Sequence, residues 1–101
     1  MGKYFTREYL YRIRNEIPVL SLLKRLDWPS KHREGEFFSL CPSCQEFQVK
    51  KTPEANLGHC FGCDRNFNTI DFTMLIQQVD FVIAIEMLAP LLPPVSTAST
   101  R

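Results

Sequence analysis

At 101 residues, 45% of them hydrophobic, the chain has room for one small domain whose core is marginal without extra help. No apolar run approaches the roughly 18 residues of a membrane span, which makes a soluble, cytoplasmic chain the expectation. The net charge of +1 conceals an asymmetry: residues 1–33 carry eight Lys/Arg against three acids, whereas residues 66–100 carry Asp71, Asp80 and Glu86 and no base.

From Thr6 to about Asn15, Tyr9, Leu10 and Ile13, continuing to Ile17, recur at three- and four-residue steps and predict a helix with one apolar face, capped by Thr6. Its other face carries Arg7, Arg12 and Arg14, a pattern expected of a solvated face. Pro18 breaks that helix and suits the start of a second one through Val19, Leu20, Leu22, Leu23 and Leu26, ended by Asp27-Trp28-Pro29-Ser30. Trp28 is read as a lid over the helix pair. Lys31 to Glu36 reads as a polar turn, and Phe37-Phe38-Ser39-Leu40 as a short strand in which Phe37 and Phe38 face opposite sides, so that only one enters the core.

Next comes the stretch that organises the chain. Cys41-Pro42-Ser43-Cys44 and Cys60-Phe61-Gly62-Cys63 are two Cys-x-x-Cys pairs fifteen residues apart, using all four cysteines. Such pairs form tight turns that point both sulfurs one way, and Pro42 and Gly62 favour turns, so the spacing predicts one tetrahedral Zn²⁺ with four thiolate ligands. Two disulfides would need an oxidising compartment, and nothing here resembles a signal peptide. A thioredoxin-like redox pair would use only half of the cysteines and needs a βαβ context. With four protein ligands the site is closed, and the metal is expected to be structural. Zinc at such a site contributes roughly 10 kcal/mol or more of apparent binding energy, more than a core of this size leaves as net stability.

Between the pairs, Glu46 to Lys50 alternates polar and apolar residues as a second strand, Lys51 to Asn56 is a turn, and Leu57 to Cys60 a third strand. The expected fold is therefore α+β: a small zinc ribbon with a three-stranded antiparallel sheet, packed with N- and C-terminal helices. Asp64 to Asn68 reads as loop. Asn68 caps a helix from Thr69 to about Gln78 with Ile70, Met74, Leu75 and Val79 as its apolar stripe, and Asp80 caps another through Phe81, Ile83, Ala84, Met87 and Leu88, stopped by Pro90. One domain over residues 1–92 and a disordered tail over residues 93–101 complete the reading.

At Leu40-Cys41-Pro42, His59-Cys60-Phe61-Gly62-Cys63 and Ile70-Asp71-Phe72 the sequence resembles the zinc-binding domain of bacterial DnaG-type DNA primases, a likeness that extends over about residues 17–90. The resemblance implies a zinc ribbon packed on helices that engages single-stranded template DNA when RNA primers are started. Its metal ligands, carried over by position, are Cys41, Cys44, Cys60 and Cys63, with His59 beside a ligand. The bacterial primases usually have His at the place of Cys44, so this chain is an all-cysteine variant. No acidic cluster for Mg²⁺ and no nucleophile–base pairing accompany the ribbon, so the chain is read as non-catalytic by itself.

Single-strand binding needs bases for phosphates and aromatic faces for stacking. On the open face of the ribbon the candidates are Arg33, Lys50, Lys51 and Arg65 with Phe38, Phe47 and Phe61, although a small ribbon also needs Phe for its own core. Two readings stand: a primase-type module that binds single-stranded DNA, or a protein-interaction ribbon whose apolar, acidic C-terminal helices dock a primase catalytic subunit, a helicase or a polymerase. A chain cut from a longer primase, with the Pro-rich tail as a linker, is a variant of the first.

Overall fold

The computed structural model describes residues 5–52 and 55–93. Helix α1 (Arg7–Glu16) begins where predicted: the Thr6 hydroxyl accepts a hydrogen bond from the Tyr9 N–H at 3.1 Å. Its buried stripe ends in Ile13 and Ile17, both nearly free of solvent, and Ile17 is extended because it precedes Pro18. Helix α2 (Val19–Arg25) buries Val19, Leu22 and Leu23. It closes in a Schellman motif, with the Trp28 N–H bonded to the Leu23 carbonyl, the Asp27 N–H bonded to the Lys24 carbonyl, and Asp27 left-handed at φ 55°. Trp28 is half-buried against the core, as expected of a lid, and its indole N–H donates to the Leu40 carbonyl at 2.7 Å.

The sheet has five strands, not three. β1 (Ser30–Arg33), β2 (Glu36–Ser39), β3 (Val49–Lys51), β4 (Gly58–Cys60) and β5 (Arg65–Phe67) follow one another as an antiparallel meander. The segment read as a polar turn is a hairpin: only Glu34 and Gly35 turn, both at positive φ, while Lys31 pairs with Phe38 and His32 with Phe37. The segment read as loop after the second cysteine pair supplies β5, which pairs back onto β4. Phe37 packs against the core, and Phe38 stands on the other face beside Arg33 and Lys50, as the alternation requires.

One face of the sheet packs on helix α3 (Thr69–Gln77), with the Phe67 and Phe72 rings 5.4 Å apart. A capping box between Asn68 and Asp71 starts α3. Its buried residues are Thr69, Ile70, Phe72 and Thr73, whereas Leu75, placed in the apolar stripe by periodicity, is exposed. The buried arc faces both the sheet and α1, where the Thr69 hydroxyl donates to the Ile13 carbonyl. Helix α4 (Phe81–Leu88), capped by Asp80, buries Ala84, Ile85 and Leu88 and leaves Phe81, Ile83 and Met87 exposed; a 3₁₀ turn (Ala89–Leu91) follows. Among the described residues no single helix is long and apolar enough to cross a membrane. The predicted tail beyond Pro93 lies outside the described residues.

Asn56, predicted only as part of a turn, joins the ribbon to the helices. Its side-chain carbonyl accepts from the Val19 N–H at 2.8 Å, and its amide donates to the Arg14 and Ile17 carbonyls at 2.8 and 2.7 Å. It thereby satisfies the last carbonyls of α1 and the first N–H of α2 where Pro18 interrupts them. Asn56→Ala is expected to cost about 2–3 kcal/mol, from three lost hydrogen bonds at ~0.5–1.5 kcal/mol each, read as a lower denaturation midpoint of the zinc-loaded protein.

Candidate metal centre and nucleic-acid groove

The two cysteine pairs fold into equivalent knuckles. In each, the residue after the second cysteine is left-handed, Gln45 at φ 66° and Asp64 at φ 57°, and its N–H bonds to the carbonyl of the first cysteine. The reversal is thus made by Gln45 and Asp64, while Pro42 and Gly62 occupy the interior of the turns. Backbone N–H groups point at the leading sulfurs: Ser43 and Cys44 at Cys41 Sγ, both at 3.3 Å, and Cys63 at Cys60 Sγ, at 3.4 Å.

All four Sγ atoms lie within 4.8 Å of one another, with Cys41 and Cys63 3.7 Å apart and Cys44 and Cys60 3.6 Å apart. Those separations are far too long for disulfides and close to the ~3.8 Å between sulfurs that a tetrahedron of ~2.3 Å Zn–S bonds requires. Cys41 and Cys60 are fully buried and Cys44 and Cys63 half-buried, so the set is closed by protein on the core side.

The electrostatics of the four thiols call for a cation. Burial pushes the Cys63 thiol up to about 12, helped by the neighbouring Cys60 and Cys41 sulfurs, and burial likewise raises Cys44. Burial also acts upward on Cys60, but the N–H groups of Cys63 and Gly62 and the Cys63 and Cys44 thiols outweigh it and bring it down to about 7. Four thiolates cannot share this space alone; a divalent soft cation makes their joint ionisation favourable.

Beside the knuckles, on the sheet face away from α3, lies a groove of about 400 Å³ lined by Lys31, Arg33, Phe38, Phe47, Phe61 and the polar pair Glu46 and Gln48. Four of the seven predicted nucleic-acid residues, Arg33, Phe38, Phe47 and Phe61, meet there. Lys50 stands at its margin, ion-paired with Glu36 and 5.9 Å from the Phe38 ring centre. Lys51 and Arg65 are engaged elsewhere. The Lys51 ammonium donates to the Thr52 and Ala55 carbonyls, and Arg65 donates to the Ser43 hydroxyl and lies 5.1 Å from the Phe67 ring centre, tying one knuckle to the other.

Lys31, which sequence reasoning did not select, takes their place: its ammonium sits 4.5 Å from the Phe47 ring centre. Once residues 30–33 are known to be a strand, the alternation of side chains puts Lys31 and Arg33 on one face. Phe61 is the open platform of the groove. It is 62% exposed, and its one ring neighbour among the described residues, His59, meets it edge-on at 4.9 Å. His59 is in turn held by Asn66 at 2.8 Å and Asp64 at 3.4 Å.

The chain matches the CHC2 zinc finger family over residues 5–97. It is 31% identical over 96 residues to the DNA primase of Geobacillus stearothermophilus, covering 88% of this chain and 15% of that protein. With the DNA primase of Staphylococcus epidermidis it shares 33% over 80 residues, covering 73% of this chain and 12% of the relative. With that of Escherichia coli K12 it shares 37% over 65 residues, covering 58% and 10%. The chain thus spans a small part of these curated relatives, the part that holds the zinc ribbon. A match across nearly the whole chain, together with four sulfurs gathered at zinc-binding distances, places it in the CHC2 zinc finger family of DnaG-type primases, as a primase zinc-binding module with one structural Zn²⁺.

Proposed function

We propose that this module binds single-stranded DNA, as template for primer synthesis, in the groove beside the zinc knuckles, with Cys41, Cys44, Cys60 and Cys63 holding the Zn²⁺ that fixes the groove's shape. The observation that carries the reading is the convergence in one groove of Lys31, Arg33 and Phe38 from β1 and β2 with Phe47 from the loop before β3 and Phe61 from the second knuckle. Three rings offer stacking surfaces to successive bases, and the cations that now lie over two of them, Lys31 on Phe47 and Arg33 on Phe38, are placed to pair with the phosphates of a strand entering the groove. The metal is structural here, and the chain acts as the template-holding part of a primase whose chemistry belongs to a catalytic subunit or domain. Lys50 belongs to the margin of this surface, and Lys51 and Arg65 serve the loop and the knuckles.

Titration of the zinc-loaded protein with labelled single- and double-stranded oligonucleotides at two salt concentrations tests this directly. Single strands are expected to bind more tightly and to lose affinity as salt rises, because paired phosphates release their counterions. Phe61→Ala is expected to weaken single-strand binding by ~1–3 kcal/mol while leaving the fold intact, since the ring is largely exposed.

A second reading draws support from α4, where Phe81, Ile83 and Met87 are exposed in a segment that carries acids and no base. In that reading the helices dock a helicase or a primase catalytic subunit. A complex that survives high salt, from a protein with no affinity for oligonucleotides, would favour it.

A further inference from the structure

The β1–β2 hairpin separates two cavities. On one side Lys31, Arg33 and Phe38 line the groove; on the other Ser30, His32 and Phe37 line a cleft of about 390 Å³ whose far wall is α2. Period-two alternation in one hairpin produces both walls. The cleft's apolar wall is Leu20, Leu23, Trp28 and Phe37, and its volume falls within the ~300–1,000 Å³ of small-molecule sites. Trp28 is fixed there by the hydrogen bond from its indole N–H to the Leu40 carbonyl, and the His32 ring meets the Phe37 ring edge-on at 5.4 Å. Lys24 and His32 stand at the rim with one acid, Asp27.

We propose that this cleft is a second nucleotide subsite for the same strand, which would pass from the groove over the exposed β1 edge and place a base between Leu20 and the Trp28–Phe37 wall with its phosphate towards Lys24 and His32. The inference rests on the single-strand reading above. Charge complementarity selects the occupant. All four β1 residues are exposed, and Lys31 and Arg33 make that strand a cationic path leading from the groove, with the His32 ring on the cleft side of the same strand. An apolar, aromatic-lined pocket at the end of such a path suits a base attached to a phosphodiester.

Trp28 is the one tryptophan of the chain, so its emission reports on the cleft and not on the groove. The zinc-loaded full chain is titrated with labelled oligothymidylates of about four and about twelve nucleotides, chosen within the ~4–16 nucleotide range of single-strand sites, following label anisotropy and Trp28 emission together. Both oligomers are expected to raise anisotropy, but only the longer to quench Trp28. The double variant Lys24→Gln, His32→Ala, at two exposed positions, is expected to weaken the longer oligomer about fivefold and leave the shorter unchanged. If the longer oligomer binds while Trp28 emission stays constant, or the double variant binds it like the parent, the subsite is refuted, the groove stands, and the cleft falls to another occupant such as a protein side chain. Absence of any anisotropy change refutes the single-strand reading and the subsite with it.

Discussion

Cys41→Ser is expected to leave the chain unfolded at any zinc concentration that saturates the parent protein. The Cys41 sulfur is fully buried and receives two backbone N–H groups, so a shorter, neutral hydroxyl in its place removes a thiolate ligand and leaves those N–H groups without the charged acceptor they point at. Structural zinc contributes ~10–16 kcal/mol of apparent binding energy, against a net stability of ~5–15 kcal/mol for a whole domain, and a three-ligand site keeps too little of it. Far-UV circular dichroism with zinc analysis of the purified variant checks this, and a strong chelator added to the parent should produce the same spectrum. A folded, zinc-free variant would show that the helical core holds the ribbon without the metal.

Phe72→Ala is expected to cost about 3–5 kcal/mol, the range for deleting a large buried aromatic ring. Phe72 is fully buried between α3 and the sheet, against Phe67, and its ring passes so close under β4 that a Cβ on Gly58 would stand 2.9 Å from Phe72 Cζ. Because Gly58 and Cys60 share β4, the cavity loosens the strand that carries two functions, packing and zinc ligation. Both the denaturation midpoint and the zinc affinity in competition with a chelator are therefore expected to fall, whereas a change of midpoint alone would separate core from metal site.

What was legible in the sequence was what local chemistry dictates. Thr6, Asn68 and Asp80 were readable as caps because a short polar side chain before an apolar run has few better uses, and all three accept the expected N–H. The metal centre was readable because two Cys-x-x-Cys pairs with no cysteine to spare leave few alternatives. Strands β1 and β5 were not readable, because four exposed polar residues, Ser30 to Arg33, and the exposed pair Arg65 and Asn66 carry no alternation; their partners across the sheet make them strands. The same long-range origin hid Lys31 from the groove and Asn56 from the helix junction. It also misplaced Leu75, since periodicity gives the width of a buried arc only when the helix has a single neighbour.

The most direct test of the groove is nuclear magnetic resonance mapping of the isotope-labelled, zinc-loaded protein titrated with a short single-stranded oligothymidylate at low salt. Shifts concentrated at Lys31, Arg33, Phe38, Phe47 and Phe61, with α3 and α4 unmoved, are the predicted result. Shifts confined to Phe81, Ile83 and Met87, or none at all, would contradict the account.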